Sequence, residues 1–300
     1  MIAKHPALWI LILMIFYSMA TAQLPEEPLS LWYRQPAKQW IEALAVGNGR
    51  LGAMVFGGVT QERIQLNEDT LWAGGPYDPA NPDALEALPQ VRELIFAGRY
   101  REAHNLVSQK MMAKPLNQMP YQCLGNLLLK FPDATNGVKD YRRALNLDTA
   151  VATVAYTIDG VHYTREIFSS LVDQVIVIRL KADKPGKVTF TAGMKTPQKA
   201  SVTVESPHTL VMQGVNGSSG GIAGALKFQA RVAITALGGQ VVTGDAQITV
   251  TDADSVLLLV AAATSYKSYK DVTGDPEALA KDAIAKASEK SFDSLLKDHV

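Results

Sequence analysis

The stretch "IQLNEDTLWAGGP", residues 64 to 76, sets an amide, two acids, a hydroxyl and an indole close together at Asn67, Glu68, Asp69, Thr70 and Trp72. Paired carboxylates are the usual chemistry of glycosidic bond cleavage, but they must converge on one bond from about 5–9.5 Å apart. Glu68 and Asp69 are neighbours, so in a strand they point to opposite faces and make no acid/base couple. A strand ending in Asn67 and Glu68, a turn at Asp69 and Thr70 and an indole at Trp72 instead make a polar rim with one flat face, suited to docking. The nearby "GNGR", with Asn48 and Arg50, joins this rim in our reading, since both stretches hold polar groups without an obvious internal partner. The competing reading is local: Asp69 and Thr70 form a side-chain-bonded turn and Trp72 fills core.

Other motifs are weaker. "GNGRLG", at Gly47, Gly49 and Gly52, matches the dinucleotide fingerprint, and Glu68 lies where a ribose-binding acid belongs. That fingerprint needs a helix after it, whereas the strand-like "AMVFGG" follows, so a glycine-rich turn between strands is expected. "GSSGG" centres Ser219 as a nucleophile elbow would, but no helix follows there either, and "VNGSSGGIAG" reads as a loop. Asn216 opens an N-x-S sequon. The histidines, His5, His104, His162, His208 and His299, show no metal-ligand spacing, so no metal site is expected. Cys123 is the only cysteine, which rules out an intramolecular disulfide framework, and its place at the mouth of an apolar strand suits a small buried residue.

The elements that must position these residues are mostly strands. From Leu124 onward, "LGNLLLKF", "YRRALNLDTAVATVAYTI", "QVIVIRLKA", "KVTFTAG", "SVTVES", "HTLVMQG", "LKFQARVAITAL" and "QITVTDADSVLLLVAAA" are rich in Val, Ile, Thr, Leu and Phe and are separated by turn residues. This spacing predicts a large antiparallel sandwich. "VLLLVAAA" is apolar on both faces and belongs in the middle of the fold. Between Asn81 and Met112 two short helices on a sheet are expected, with Pro89 in the first turn of the first and Tyr100, Ala103, Val107 and Met111 striping the second; His104 beside that stripe reads as an interfacial histidine. At the end, Asp275 caps and Pro276 begins a helix that carries Phe292, Leu295, Leu296 and His299 on one face. The expectation is that this face is uncovered and leads into another domain; the alternative is a helix folded back on its own sandwich.

With 300 residues and 47% hydrophobic composition the chain can bury a full core. Lys plus Arg and Asp plus Glu number 29 each, which argues against nucleic acid or an anionic membrane surface as partner. Residues 1–22 read as a secretory signal: Lys4 and His5, then "LWILILMIF", then the small residues Ala20 to Ala22. The apolar run is shorter than a membrane span, so export to the periplasm or medium is expected, without a stable membrane span after cleavage.

The blocks "ALAVGNGRLGAMVFGG", "IQLNEDTLWAGGP" and "YQCLGNLLLKF", in this order, resemble the N-terminal domain of glycoside hydrolase family 95 α-L-fucosidases, a domain related to the one preceding family 65 catalytic barrels. The similarity runs from about Leu29 to the final "LLKDHV". The resemblance implies a galactose-mutarotase-like β-supersandwich over residues 23–272, a helical linker beginning at 273–300, and then an α/α barrel. That barrel would hold the inverting machinery, a Glu acid and an Asp-activated water, so no catalytic residue maps onto this chain and no cofactor is implied. The implied partners are a fucosylated oligosaccharide, met through the barrel, and the barrel itself, which Asn48, Arg50, Asn67, Glu68, Asp69, Thr70 and Trp72 would face. Cys123 stands where the family commonly has Pro. Two other readings remain open: a stand-alone carbohydrate-binding module using Trp72, Tyr77 or Trp32, and the N-terminal domain of a family 65-like phosphorylase or an L-galactosidase.

Overall fold

A computed structural model describes residues 29–133 and 137–300, and the signal-like segment lies outside them. Two antiparallel sheets face each other. The larger has nine strands in the order β1 (Ser30–Tyr33), β6 (Lys139–Asn146), β7 (Val151–Ile158), β8 (Val161–Ser169), β9 (Ile176–Ala182), β16 (Ser255–Thr264), β13 (Lys227–Leu237), β12 (Thr209–Val215) and β11 (Lys199–Glu205). The smaller has seven, in the order β14 (Gln240–Thr243), β15 (Gln247–Ala253), β10 (Val188–Lys195), β5 (Gly125–Lys130), β4 (Gln61–Glu68), β3 (Leu51–Val55) and β2 (Leu44–Gly47). The large antiparallel sandwich expected from the turn spacing, and the β-supersandwich that the resemblance implies, is therefore the fold. The β8 and β14 segments were not among the expected strands; "VHYTREIFS" mixes His, Arg and Glu into its alternation, which hides it.

Alternation decides what each strand buries. In β16, Val256, Leu258, Val260 and Ala262 enter the core between the sheets, while Leu259 and Ala261 face outward, where helices cover them. This is why "VLLLVAAA" is apolar on both faces, and it lies well inside its sheet. In β4 the inward face reads Glu62, Ile64, Leu66, Glu68, so an acid closes each end of an apolar row. Glu62 is fully buried and is answered by Arg165 of β8, whose Nη1 donates to Glu62 Oε2 at 2.8 Å and whose Nη2 donates to the Tyr156 hydroxyl at 2.7 Å. Burial alone pushes the Glu62 carboxyl above its ordinary range, and the guanidinium and backbone amides oppose that push.

Four α-helices complete the described residues, and they correct five expectations. α1 (Ala84–Phe96) begins earlier than predicted, so Pro89 sits inside it rather than in its first turn. α1 and α2 (Tyr100–Lys110) take each other as main packing partners instead of a sheet face, and they bury little beyond Val91 and Ala103. His104 is exposed, not interfacial. At the end, Asp275 caps α3 (Pro276–Ser288) as expected, accepting from the Ala278 amide at 3.0 Å. Ser291 then caps a separate helix, α4 (Phe292–His299), through the Ser294 amide at 3.2 Å, so the expected single helix is two. Their apolar face is covered, not open to water: Ala280, Ala287, Phe292 and Leu295 pack on Phe168, Val177, Leu259 and Ala261 of the larger sheet and on Val175 just before β9. The physical reason is the two-sided apolar character of β9 and β16, whose outer faces require a cover.

Candidate functional site

The "GNGR" segment is the β2–β3 hairpin, as a glycine-rich turn should be. Asn48 Oδ1 accepts from the Leu51 amide at 2.7 Å and the Arg50 amide at 3.1 Å, while Gly49 takes a φ of +89° that glycine tolerates without strain. The same Asn48 donates through Nδ2 to the Ser170 carbonyl at 2.8 Å. Arg50 donates to Gln174 Oε1 at 2.8 Å and to the Ala262 carbonyl at 2.6 Å, and it stands 3.6 Å from Glu68. These groups grip the β8–β9 turn, whose Asp173 also accepts from Lys290 between α3 and α4. Asn48 and Arg50 thus have internal partners that the sequence did not reveal, in Ser170, Gln174 and Ala262.

The NEDTLW stretch divides sharply. Glu68, the last residue of β4, is 3% exposed and accepts from the Thr70 amide at 2.9 Å and the Thr70 hydroxyl at 2.7 Å. Burial raises its carboxyl above the ordinary range, against the opposing effect of the Thr70 bonds and Arg50. Thr70 Oγ1 also meets Thr264 Oγ1, which in turn accepts from the Tyr266 amide at 3.2 Å. Asn67 is half-buried, with the Tyr121 hydroxyl 3.4 Å from its Oδ1. Burial and the Glu68 charge push Tyr121 up to about 12. Asp69 is exposed, its backbone amide bonded to the Arg50 carbonyl at 3.0 Å. Trp72 is neither core nor loose: it remains 40% exposed, yet its indole N–H donates to the Asp69 carbonyl at 2.9 Å and its ring meets Tyr121 edge-on, centroids 5.4 Å apart.

Asp69, Thr70 and Trp72 line a cleft of about 590 Å³; Asn48, Arg50, Asn67 and Glu68 do not. Its other walls are Tyr77 and the aromatic residues Tyr266 and Tyr269 that follow β16, with Gln118 and Ser268 as polar groups and Met119, Leu226 and Val272 as apolar floor. The lining contains one carboxylate, Asp69, and no Lys, Arg or His. The wall is rigid because Asn216 pins it: Nδ2 donates to the Trp72 and Gly74 carbonyls, both at 2.6 Å, and Oδ1 accepts from the Leu226 amide at 3.0 Å. Asn216 is 6% exposed with its amide fully engaged, so its sequon is closed to glycosylation in the folded chain. A Cβ on Gly74 would approach Met119 Sδ to 2.9 Å, and one on Gly75 would approach Ala225 to 2.7 Å, so both glycines are needed for the close approach. Ser219 lies in a tight bridge with Ile222 and has none of the helix that an elbow needs.

A smaller hollow of about 180 Å³ has Phe131, Tyr156 and Arg165 in its lining, and that guanidinium is bound to Glu62, Tyr156 and the Gly58 and Val59 carbonyls. Among the described residues no cluster of three or more His, Cys, Asp or Glu is placed to hold a metal ion, and no helix is long and apolar enough to cross a membrane. Cys123 is half-buried, with the Gln65 amide nitrogen 3.0 Å from its sulfur.

Comparison with known proteins places this geometry. Residues 31–269 match the family described as glycosyl hydrolase family 65, N-terminal domain. "Alpha-L-fucosidase 2" of Arabidopsis thaliana is 38% identical over 190 residues, covering 62% of this chain and 22% of that protein. "Probable alpha-fucosidase A" of Aspergillus niger is 34% identical over 168 residues, 51% of this chain and 20% of that protein. The chain therefore spans about a fifth of the length of these relatives. A solved structure described as "Putative kojibiose phosphorylase from human microbiome" superposes with a TM-score of 0.50 at 9% identity, covering 91% of this chain and 37% of that one, which is a likeness of fold.

Proposed function

Because the chain belongs to the family of glycosyl hydrolase family 65 N-terminal domains, we infer that it is the N-terminal accessory β domain of a secreted α-L-fucosidase-like hydrolase of the family 95 kind. In this reading the longer protein removes terminal α-linked L-fucose with inversion, using two carboxylates and water and no cofactor, in an α/α barrel that follows. The observation that carries it is the likeness of 62% of the chain, at 38% identity, to "Alpha-L-fucosidase 2" of Arabidopsis thaliana, within a family described as the N-terminal domain of glycosyl hydrolase family 65. α3 and α4, seated on the larger sheet, would form the passage toward the barrel, and residues 1–22 would direct export.

The test is release of L-fucose from 2'-fucosyllactose by residues 23–300 beside a version extended into the barrel. Release by the extended form alone is expected. Release by the short chain would end the accessory reading, and release only in the presence of phosphate would move the protein to the phosphorylases. The cleft beside Trp72 favours one second reading, sugar binding by this domain itself.

A further inference from the structure

The cleft beside Trp72 combines features that seldom meet by accident on a sandwich surface. Four aromatic rings, Trp72, Tyr77, Tyr266 and Tyr269, surround a floor of Met119, Leu226 and Val272. Its volume of about 590 Å³ falls within the roughly 300–1,000 Å³ usual for small-ligand sites. The indole is locked in orientation by its bond to the Asp69 carbonyl and by the edge of Tyr121, although 40% of the residue is left open to solvent. A protein seldom immobilises an exposed aromatic ring so thoroughly when the ring has nothing to meet, because ordering it costs conformational freedom. The backbone that carries it is held equally firmly, through Asn216 to the Trp72 and Gly74 carbonyls.

We propose that this cleft binds a neutral pyranose, its C–H face laid on the Trp72 indole and its hydroxyls met by Asp69, Gln118 and Ser268. The chemistry of the lining selects this class. Flat rings match the apolar face of a sugar, whereas an exposed carboxylate and an amide serve hydroxyl groups. Anionic sugars are disfavoured: Asp69 would repel a uronate or sulfate, and the lining supplies no cation to balance it. Of the nearby cations, Lys267 is engaged with Thr273 and Asp271, and Lys270 stands over the Tyr269 ring at 5.3 Å. Tyr269 therefore offers its free face or edge, and Trp72 carries the stacking. The inference rests on the fucosidase-like reading only for the choice of probe sugars.

The Trp72 indole N–H is a local reporter, identified in a ¹⁵N–¹H spectrum of the folded chain by its loss in Trp72→Phe. Titration with L-fucose, D-galactose, 2'-fucosyllactose and D-glucuronate should move that signal for the neutral sugars at millimolar concentration, and clearly less for glucuronate. Ligand-observed saturation transfer should show binding weakened roughly tenfold or more in Trp72→Ala and less in Trp72→Phe, which keeps a ring. Asp69→Asn should remove the discrimination against glucuronate, and because Asp69 binds Trp72 through its backbone, the reporter survives the change. Three results overturn the proposal: an indole signal indifferent to every sugar, binding unchanged in Trp72→Ala, or glucuronate bound as well as fucose by the wild type. Failure of fucose release by the extended protein would leave this titration untouched, so the two readings fall separately.

Discussion

At the residue scale, the two inward acids of β4 show how one residue type takes different roles. Glu68 is buried with a hydroxyl, an amide and a loosely placed guanidinium around it, and burial wins, so its folded value lies above its ordinary one. A carboxyl raised in this way contributes its full stability below the ordinary carboxylate range, and that contribution is lost as pH rises through the raised value. Glu68→Gln keeps an acceptor for Thr70 without the charge. The variant should therefore gain melting temperature relative to wild type as pH goes from about 4 to about 8. A difference flat across that range would show that Thr70 and Arg50 already balance burial. Glu62 has a close guanidinium instead. Arg165→Met, which leaves Glu62 buried and unpaired, should cost about 3–5 kcal/mol in denaturant melts, whereas Glu62→Leu combined with Arg165→Met should recover most of it. A double variant as unstable as the single one would place the loss in the Arg165 bonds to Gly58, Val59 and Tyr156 instead.

At the scale of elements, α3 and α4 answer the outer apolar face of β9 and β16, and Leu295 is the fully buried residue of α4. Leu295→Ala should destabilise by about 2–5 kcal/mol if this helix unfolds together with the sandwich. Amide exchange decides the alternative: if α4 opens alone, its protection drops while β16 stays unchanged. The β8–β9 turn connects this region to the polar hairpin, held by Asn48 and Arg50 on one side and by Lys290 on the other. How much of this could be read beforehand varies by element. The strands from β5 onward other than β8 and β14, the glycine-rich hairpin and the Asp275 cap were legible because alternation, turn residues and caps are local signals. The break at Ser291 and the interior position of Pro89 were not, since a cap inside a periodic stretch competes with the periodicity itself.

At the scale of the whole molecule, the core between the sheets is continuous, with residues of β2 through β16 in one cluster, and the two helices of the insert stand outside it. The sandwich should therefore unfold in one transition, calorimetric and van't Hoff enthalpies agreeing, while α1 and α2 exchange their amides earlier. Two resolved transitions within the sheets would contradict a single core. The order of the blocks around "GNGRLG", "NEDTLW" and "YQCLGN" already pointed to a family, and the strand pattern to an antiparallel sandwich, because both are written in contiguous residues. Burial of Glu68, engagement of Asn216 and the cover over β16 were decided only in three dimensions. So was the cleft that gathers Trp72, Gln118, Tyr266 and Tyr269 from distant parts of the chain. The physical reason is that periodicity tells which residues share a face, whereas what covers that face depends on long-range pairing that no local stretch encodes.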